Sequence, residues 1–252
     1  MKWPRSTAQP WYEIRAESSD VADVWVYDVI GEDFFGEGVS AKNLCRELSQ
    51  ITAERINLHV NSPGGNVFDG QAIYNALRRH PASVTTYVEG FAGSIATVVA
   101  LAGDKVVMAA NSLWMIHDPF GCACGSAAEL RAYADVLDKA EVTIAGVYVE
   151  HTGRERAEID DAMANETWFS ADEAKDFGFV DTVGEPLKVA AMAWNFAELG
   201  YRTPPPGGAV MIGNDTTPEA ADAPDVIAAE ATSCRELVFV PGHGYYTLAK
   251  RI

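Results

Sequence analysis

Ser94 follows Gly90-Phe91-Ala92-Gly93 and precedes the small-residue run Ile95-Ala96-Thr97-Val98-Val99-Ala100. A serine at such a strand-to-helix junction sits where main-chain N–H groups and the positive end of a helix favour a developing oxyanion. The same position suits a helix N-cap, for which serine is among the preferred residues. His117 shifts the balance toward chemistry. It closes the apolar run Leu113-Trp114-Met115-Ile116 just before Asp118-Pro119, where a strand stops and an imidazole can project into a cleft. A serine hydroxyl is a poor nucleophile near neutral pH, so a neutral imidazole has to take its proton during attack and return it to the leaving group. The third component is the turn Asn61-Ser62-Pro63-Gly64-Gly65-Asn66. Consecutive glycines let a substrate carbonyl approach main-chain donors with no Cβ in the way. The pattern assigns an oxyanion hole to the amides of Gly65, Asn66 and Ile95, and the chemistry it suggests is acyl transfer through a serine ester.

These groups need a scaffold that gathers strand ends. Residues 24–30 (VWVYDVI) read as a strand, and Ser40 opens an amphipathic helix carrying Leu44, Leu48 and Ile51. Residues 56–60 (INLHV) are a second strand, running through the glycine turn into the helical FDGQAIYNALRR. Residues 83–90 form a third strand, and two more follow at 105–108 and 113–116. Leu130, Tyr133, Val136, Leu137, Ala140, Ile144, Val147 and Tyr148 recur at three- and four-residue steps, so a long helix starts near Ser126 and ends near Gly153. A further helix is expected over 156–163. Ser170-Ala171-Asp172-Glu173 is a capping-box start for a short one ending at Gly178, before a closing strand FVDTV. Repeated strand, turn and helix units imply a mixed α/β domain over residues 1–185. Residues 186–252 are rich in Pro, Ala, Gly, Asp and Thr and lack periodicity, so they read as a linker or tail whose apolar extreme end is able to dock.

Composition removes several alternatives. The 252 residues are 48% hydrophobic and 22% charged, which excludes collagen-like, disulfide-scaffold and fully disordered chains. Lys and Arg number 19 against 36 Asp and Glu, a net charge of -17 that repels phosphate backbones and anionic lipid, so neither nucleic acid nor membrane is an expected partner. Cys45, Cys122, Cys124 and Cys234 are too few and too scattered for a disulfide framework. Cys122 with Cys124 lacks a second ligand pair at zinc spacing, so no metal site is expected. No apolar run follows Lys2 and Arg5 as a signal peptide requires, and none approaches the ~20 residues of a membrane span, so the expected location is the cytoplasm. No G-x-x-x-x-G-K-[ST] loop occurs, and no cofactor is expected.

The blocks NSPGG, GFAGSIA, MIHDP and ETWFSADEAKDFGFVD occur in that order, and over roughly residues 24–183 the chain resembles the ClpP-like serine peptidases. The stretches WVYDVIGEDFFGEGVSAK, NSPGGNVFDGQAIYNALRRH and NETWFSADEA are most similar to the ClpP-related head maturation proteases of tailed phages. The resemblance implies a ClpP/crotonase-like spiral of strand-strand-helix units, Ser94 as nucleophile and His117 as base. It also implies self-association into rings, with the helix over 126–151 as an oligomer handle, and phage capsid or scaffold proteins as substrates within the assembling prohead. It further implies an acid shortly before Phe169-Ser170-Ala171. Alignment on that segment puts Ala162 at the acid's place, which leaves Asp161, one residue away, as the candidate third member. A serine-histidine dyad aided by water or a main-chain carbonyl is the alternative. Three other functions compete: a general ClpP-type peptidase fed by an ATP-dependent unfoldase, a catalytically silent capsid-assembly protein, and a crotonase-like acyl-CoA enzyme.

Overall fold

Branched apolar residues at every second position give the first three parallel strands one fully buried face. Ala22, Val24, Val26, Ile56, Leu58, Val60, Val84, Thr86 and Val88 point into the core, while Trp25, His59 and Tyr87 on the other face stay half-exposed. The computed structural model describes residues 11–16, 20–31, 40–187, 196, 199–203, 237–240 and 244–247. In chain order the elements are β1 (Tyr12–Arg15), β2 (Val21–Tyr27), α1 (Ala41–Leu48), β3 (Arg55–Ser62), α2 (Val67–Arg78), β4 (Ser83–Gly93), α3 (Ile95–Ala100), β5 (Lys105–Ala109), β6 (Leu113–Ile116), α4 (Ala127–Thr152), α5 (Arg156–Ala164), β7 (Thr167–Ser170), α6 (Ala171–Phe177) and β8 (Thr182–Gly184). The pair β9 (Leu237–Val240) and β10 (Gly244–Thr247) completes the described elements.

The helices begin where the sequence provides caps. Ser40 accepts from the Lys42 amide, Asn66 accepts from Phe68 and Asp69, and Ser170 with Glu173 forms a reciprocal capping box on α6, which ends at Gly178 in the left-handed conformation. Two strands escape the sequence reading: β1, which pairs antiparallel with β2, and the four-residue β7.

The chain divides into two units. The first, Met1–Gly121 with Asp135–Gly213, holds the sheet β1-β2-β3-β4-β5-β8, in which all neighbours after β1 run parallel. Strand β4 is long enough to serve twice. Residues 85–88 pair with β5, and residues 91–93 leave that partner and pair with β6, which in turn pairs antiparallel with β7. The split is eased by a register shift against β3: Val60 faces Val88 but Ser62 faces Ala92, and the Asn61 side chain fills the gap by accepting from the Phe91 amide at 3.1 Å. Phe196 and Leu199–Thr203, which composition assigns to the tail, pack on this unit, with Phe196 and Tyr201 buried. The second unit, Cys122–Ala134 with Asn214–Ile252, contains the first turns of α4 and the antiparallel β9/β10 pair. Residues 248–252, the expected docking end, and Cys234 lie outside the described residues.

Candidate active site

Strand register assembles the site. Gly93 faces Met115 across the parallel β4/β6 pair, and the Ser94 amide donates to the Met115 carbonyl at 2.9 Å. The ladder ends there, because Ile95 opens α3, so Ser94 stands just past the end of β4 and His117 just past the end of the neighbouring β6. Across the antiparallel β6/β7 pair Ile116 faces Thr167, so the next pair outward is His117 with Glu166. Ser94, His117 and Glu166 therefore lie beside the ends of three adjoining strands, β4, β6 and β7.

Ser94 does not act as a side-chain cap. It occupies the N-cap position of α3 with φ 53 and ψ -131, and its hydroxyl makes no capping bond. A positive φ on a non-glycine residue costs on the order of 1–3 kcal/mol and persists only where surrounding structure imposes it, a feature that concentrates at functional sites. The glycine turn supplies that constraint. Gly64 has φ +92, and a Cβ there would lie 2.7 Å from both the Gly93 carbonyl oxygen and the Ser94 Cβ, and 3.2 Å from the Ile95 nitrogen. The turn is tied down by the Ser62 hydroxyl, which donates to the Asp28 carbonyl at 2.6 Å, and by Ile30, whose amide donates to the Gly64 carbonyl at 2.7 Å.

Of the three amides expected in the oxyanion hole, Gly65 and Ile95 have no acceptor among the described residues, and the close approach of Gly64 to Ile95 brings their two segments together. Asn66 is a correction. Its main-chain amide, the donor expected to serve an oxyanion, donates instead to the Ile30 carbonyl at 2.9 Å, and its side-chain oxygen caps α2.

The carboxylate beside His117 is not Asp161. Asp161 lies on an exposed turn of α5, and the carboxylate that acts on His117 is Glu166. Helix α5 points Asp161 outward, whereas Glu166 follows the helix with φ 51 and turns the chain into β7, which carries its side chain inward to 3% exposure. Burial would raise its carboxyl pKa, but bonds from the Arg202 and Thr203 amides and the Thr203 hydroxyl, with His117 nearby, hold it below the usual value. His117 is 7% exposed, and burial, with a smaller push from the Arg202 charge, lowers its pKa to about 4 against the opposing pull of Glu166. The imidazole is thus neutral at physiological pH, the form able to accept a proton. Among the described residues no hydrogen bond joins Ser94 to His117 or His117 to Glu166. The signal for Glu166 in the sequence was the Thr-Trp-Phe-Ser alternation just after it: read as a strand antiparallel to 113–116, it places residue 166 opposite His117.

Among the described residues there is no cluster of His, Cys, Asp and Glu able to hold a metal ion, and no helix is long and apolar enough to cross a membrane. Cys45, Cys122 and Cys124 are free thiols.

A family model described as Clp protease matches residues 8–186. The chain is 36% identical over 156 residues to the ATP-dependent Clp protease proteolytic subunit 3 of Streptomyces coelicolor, covering 59% of this chain and 71% of that protein. It is 34% identical over 161 residues to the proteolytic subunit 1 of Chlamydia abortus, covering 60% and 84%. In three dimensions it is similar to a point mutant of ClpP1 from Listeria monocytogenes, with a TM-score of 0.57 and 24% identity over 65% of this chain and 91% of the other, a likeness of fold.

Proposed function

The chain belongs to the Clp protease family, and from that premise we propose that it is a serine endopeptidase in which Ser94 is the nucleophile, His117 the general base and acid, and Glu166 the carboxylate that steadies the imidazolium. The observation that supports the reading is the pairing of β4, β6 and β7, beside whose ends residues 94, 117 and 166 lie, with the Ser94 amide bonded to the Met115 carbonyl. Neutral His117 takes the hydroxyl proton as the Ser94 oxygen bonds to the scissile carbonyl carbon. The resulting oxyanion accepts from the amides of Gly65 and Ile95. The imidazolium, held by Glu166, then protonates the leaving amine, and a water activated by the same imidazole releases the acyl group. Rings of identical subunits are part of the proposal through the family.

The finer proposal is that the substrates are phage capsid or scaffold proteins, supported by the sequence of residues 25–42, 61–80 and 165–174 and by a chain that runs 66 residues past the family match. A second reading, degradation with an ATP-dependent unfoldase, is favoured by the names of the curated relatives. Fluorophosphonate labelling tests the mechanism: label is expected on the unaltered chain and its loss in Ser94→Ala and His117→Ala. Co-expression with a capsid protein, read by intact mass, is expected to show trimmed termini that Ser94→Ala abolishes. Proteolysis that appears only when an unfoldase and ATP are added would favour the second reading.

A further inference from the structure

The family match stops at residue 186, yet a segment beyond it lies in the candidate active site. Tyr201 is 6% exposed, and its ring centroid stands 5.5 Å from that of His117 and 5.7 Å from that of Trp168. Its hydroxyl donates to the carbonyl of Pro63, in the same turn that carries Gly64 and Gly65. A Cβ on Gly93, the residue before Ser94, would lie 2.8 Å from the Tyr201 hydroxyl oxygen. One side chain therefore touches the nucleophile's strand, the base and the turn that bears an oxyanion donor. Its apolar part sits among Phe91, Met115 and Phe196, a small cluster separate from the main core.

The two residues that follow engage the acid. One Glu166 oxygen accepts from the Arg202 amide at 2.7 Å, and the other accepts from the Thr203 amide at 2.6 Å and the Thr203 hydroxyl at 2.9 Å. The Arg202 guanidinium donates to the Ala164 carbonyl at 2.8 Å and lies 3.7 Å from the Glu166 carboxylate. Charge-assisted bonds of this kind are strong ones, and they draw on the carboxylate that would otherwise orient His117. The same short segment thus takes the space beside Ser94 and three of the roughly four acceptor positions of the Glu166 carboxylate.

We propose that residues 199–203 form an intramolecular latch that keeps the peptidase latent, with Tyr201 seated in the substrate cleft and Arg202-Thr203 holding Glu166 away from the imidazole. The proposal rests on the serine peptidase reading above. Displacing the segment would open the cleft and free Glu166 to bond to His117, a population shift between two arrangements of one chain.

The test compares fluorophosphonate labelling rates of Ser94 in the full chain, in Tyr201→Ala and in Gly200→Ala. Gly200 has φ +85, and a Cβ there would lie 2.5 Å from the Phe120 ring, so alanine disturbs the latch while leaving its contact residues intact. Both variants are expected to label at least about ten-fold faster than the unaltered chain. Adding a synthetic peptide FAELGYRT, residues 196–203, is expected to slow Tyr201→Ala again. Melting curves establish that each variant is folded at the assay temperature, and if Tyr201→Ala is not, Gly200→Ala decides. Equal rates in folded variants and unaltered chain, with label still lost in Ser94→Ala, would overturn the latch and leave the peptidase standing. No label in any form would remove both.

Discussion

Replacing Gly64 with alanine probes the apposition on which the candidate site depends. The added Cβ would fall 2.7 Å from the Gly93 carbonyl oxygen and from the Ser94 Cβ, where ordinary contact begins at 3.4 Å, so 3.4 − 2.7 = 0.7 Å of separation has to be recovered. Neither neighbour is the far end of a flexible side chain, so relief comes from moving the backbone that carries the nucleophile. Alanine at φ +92 adds about 1–2 kcal/mol of backbone strain, and the packing clash brings the total to roughly 3 kcal/mol. For a unit of this size that is a fall of about 6–12 °C in Tm. A displacement approaching 1 Å of a reacting group costs on the order of 100-fold in rate, so kcat/KM against a fluorogenic peptide, with this variant and its control both made in Tyr201→Ala so that the latch does not mask the effect, should drop about that far in enzyme that is still folded. Gly153→Ala is the control, because Gly153 has φ +70 but nothing within 4 Å of the added Cβ. It should lose only about 1–2 kcal/mol and keep its activity. If Gly64→Ala matched Gly153→Ala in both Tm and kcat/KM, the turn would not be seated against Ser94, and the oxyanion hole built on it would fall with it.

Three other outcomes are expected. Glu166→Gln, made in Tyr201→Ala so that the latch does not mask the effect, should reduce kcat/KM by about 100- to 10,000-fold; retention of activity would point to the dyad instead. Asp161→Asn, on an exposed helix turn, should change stability by no more than about 0.5 kcal/mol, with peptide hydrolysis unaltered; a collapse in hydrolysis would return the role of acid to Asp161. Because His117 has a folded-state pKa of about 4 against 6.5 when unfolded, the unfolded chain binds a proton that the native chain refuses between those values. The contribution of His117 to stability is therefore full above pH 6.5 and falls by up to about 3 kcal/mol on acidification to pH 4. Glu166 and Arg202 are the charges that act on the ring, with the Asp118 main chain bonded to it, and urea midpoints across that pH range should show a shallower slope in His117→Asn than in the unaltered chain.

Most of the framework is legible along the chain because its causes are local. Ser40, Asn66 and Ser170 cap helices at the positions their side-chain chemistry suits, and alternation of branched apolar residues marks the strands that bury one face. Ser94, His117 and the Gly64-Gly65 turn are equally visible, since each sits at an element boundary marked by its own neighbours. Asn66 misled because a cap and an oxyanion donor want the same kind of turn, and only the Ile30 carbonyl, brought up from the loop after β2, decides which use its amide is put to. Glu166 stayed hidden for a related reason. Its place opposite His117 comes from the antiparallel register of a four-residue strand, and strand pairing joins residues some fifty positions apart through bonds that no local pattern encodes. Tyr201 is the extreme case. It stands in a stretch whose composition reads as tail, and its burial comes from Phe196 and from residues 63, 91, 93, 115, 117 and 168, which distant strands and turns bring around it. Caps, turns and periodicity are written in adjacent residues, whereas the placing of Glu166 and Tyr201 beside His117 is set by contacts that exist only once distant segments have met.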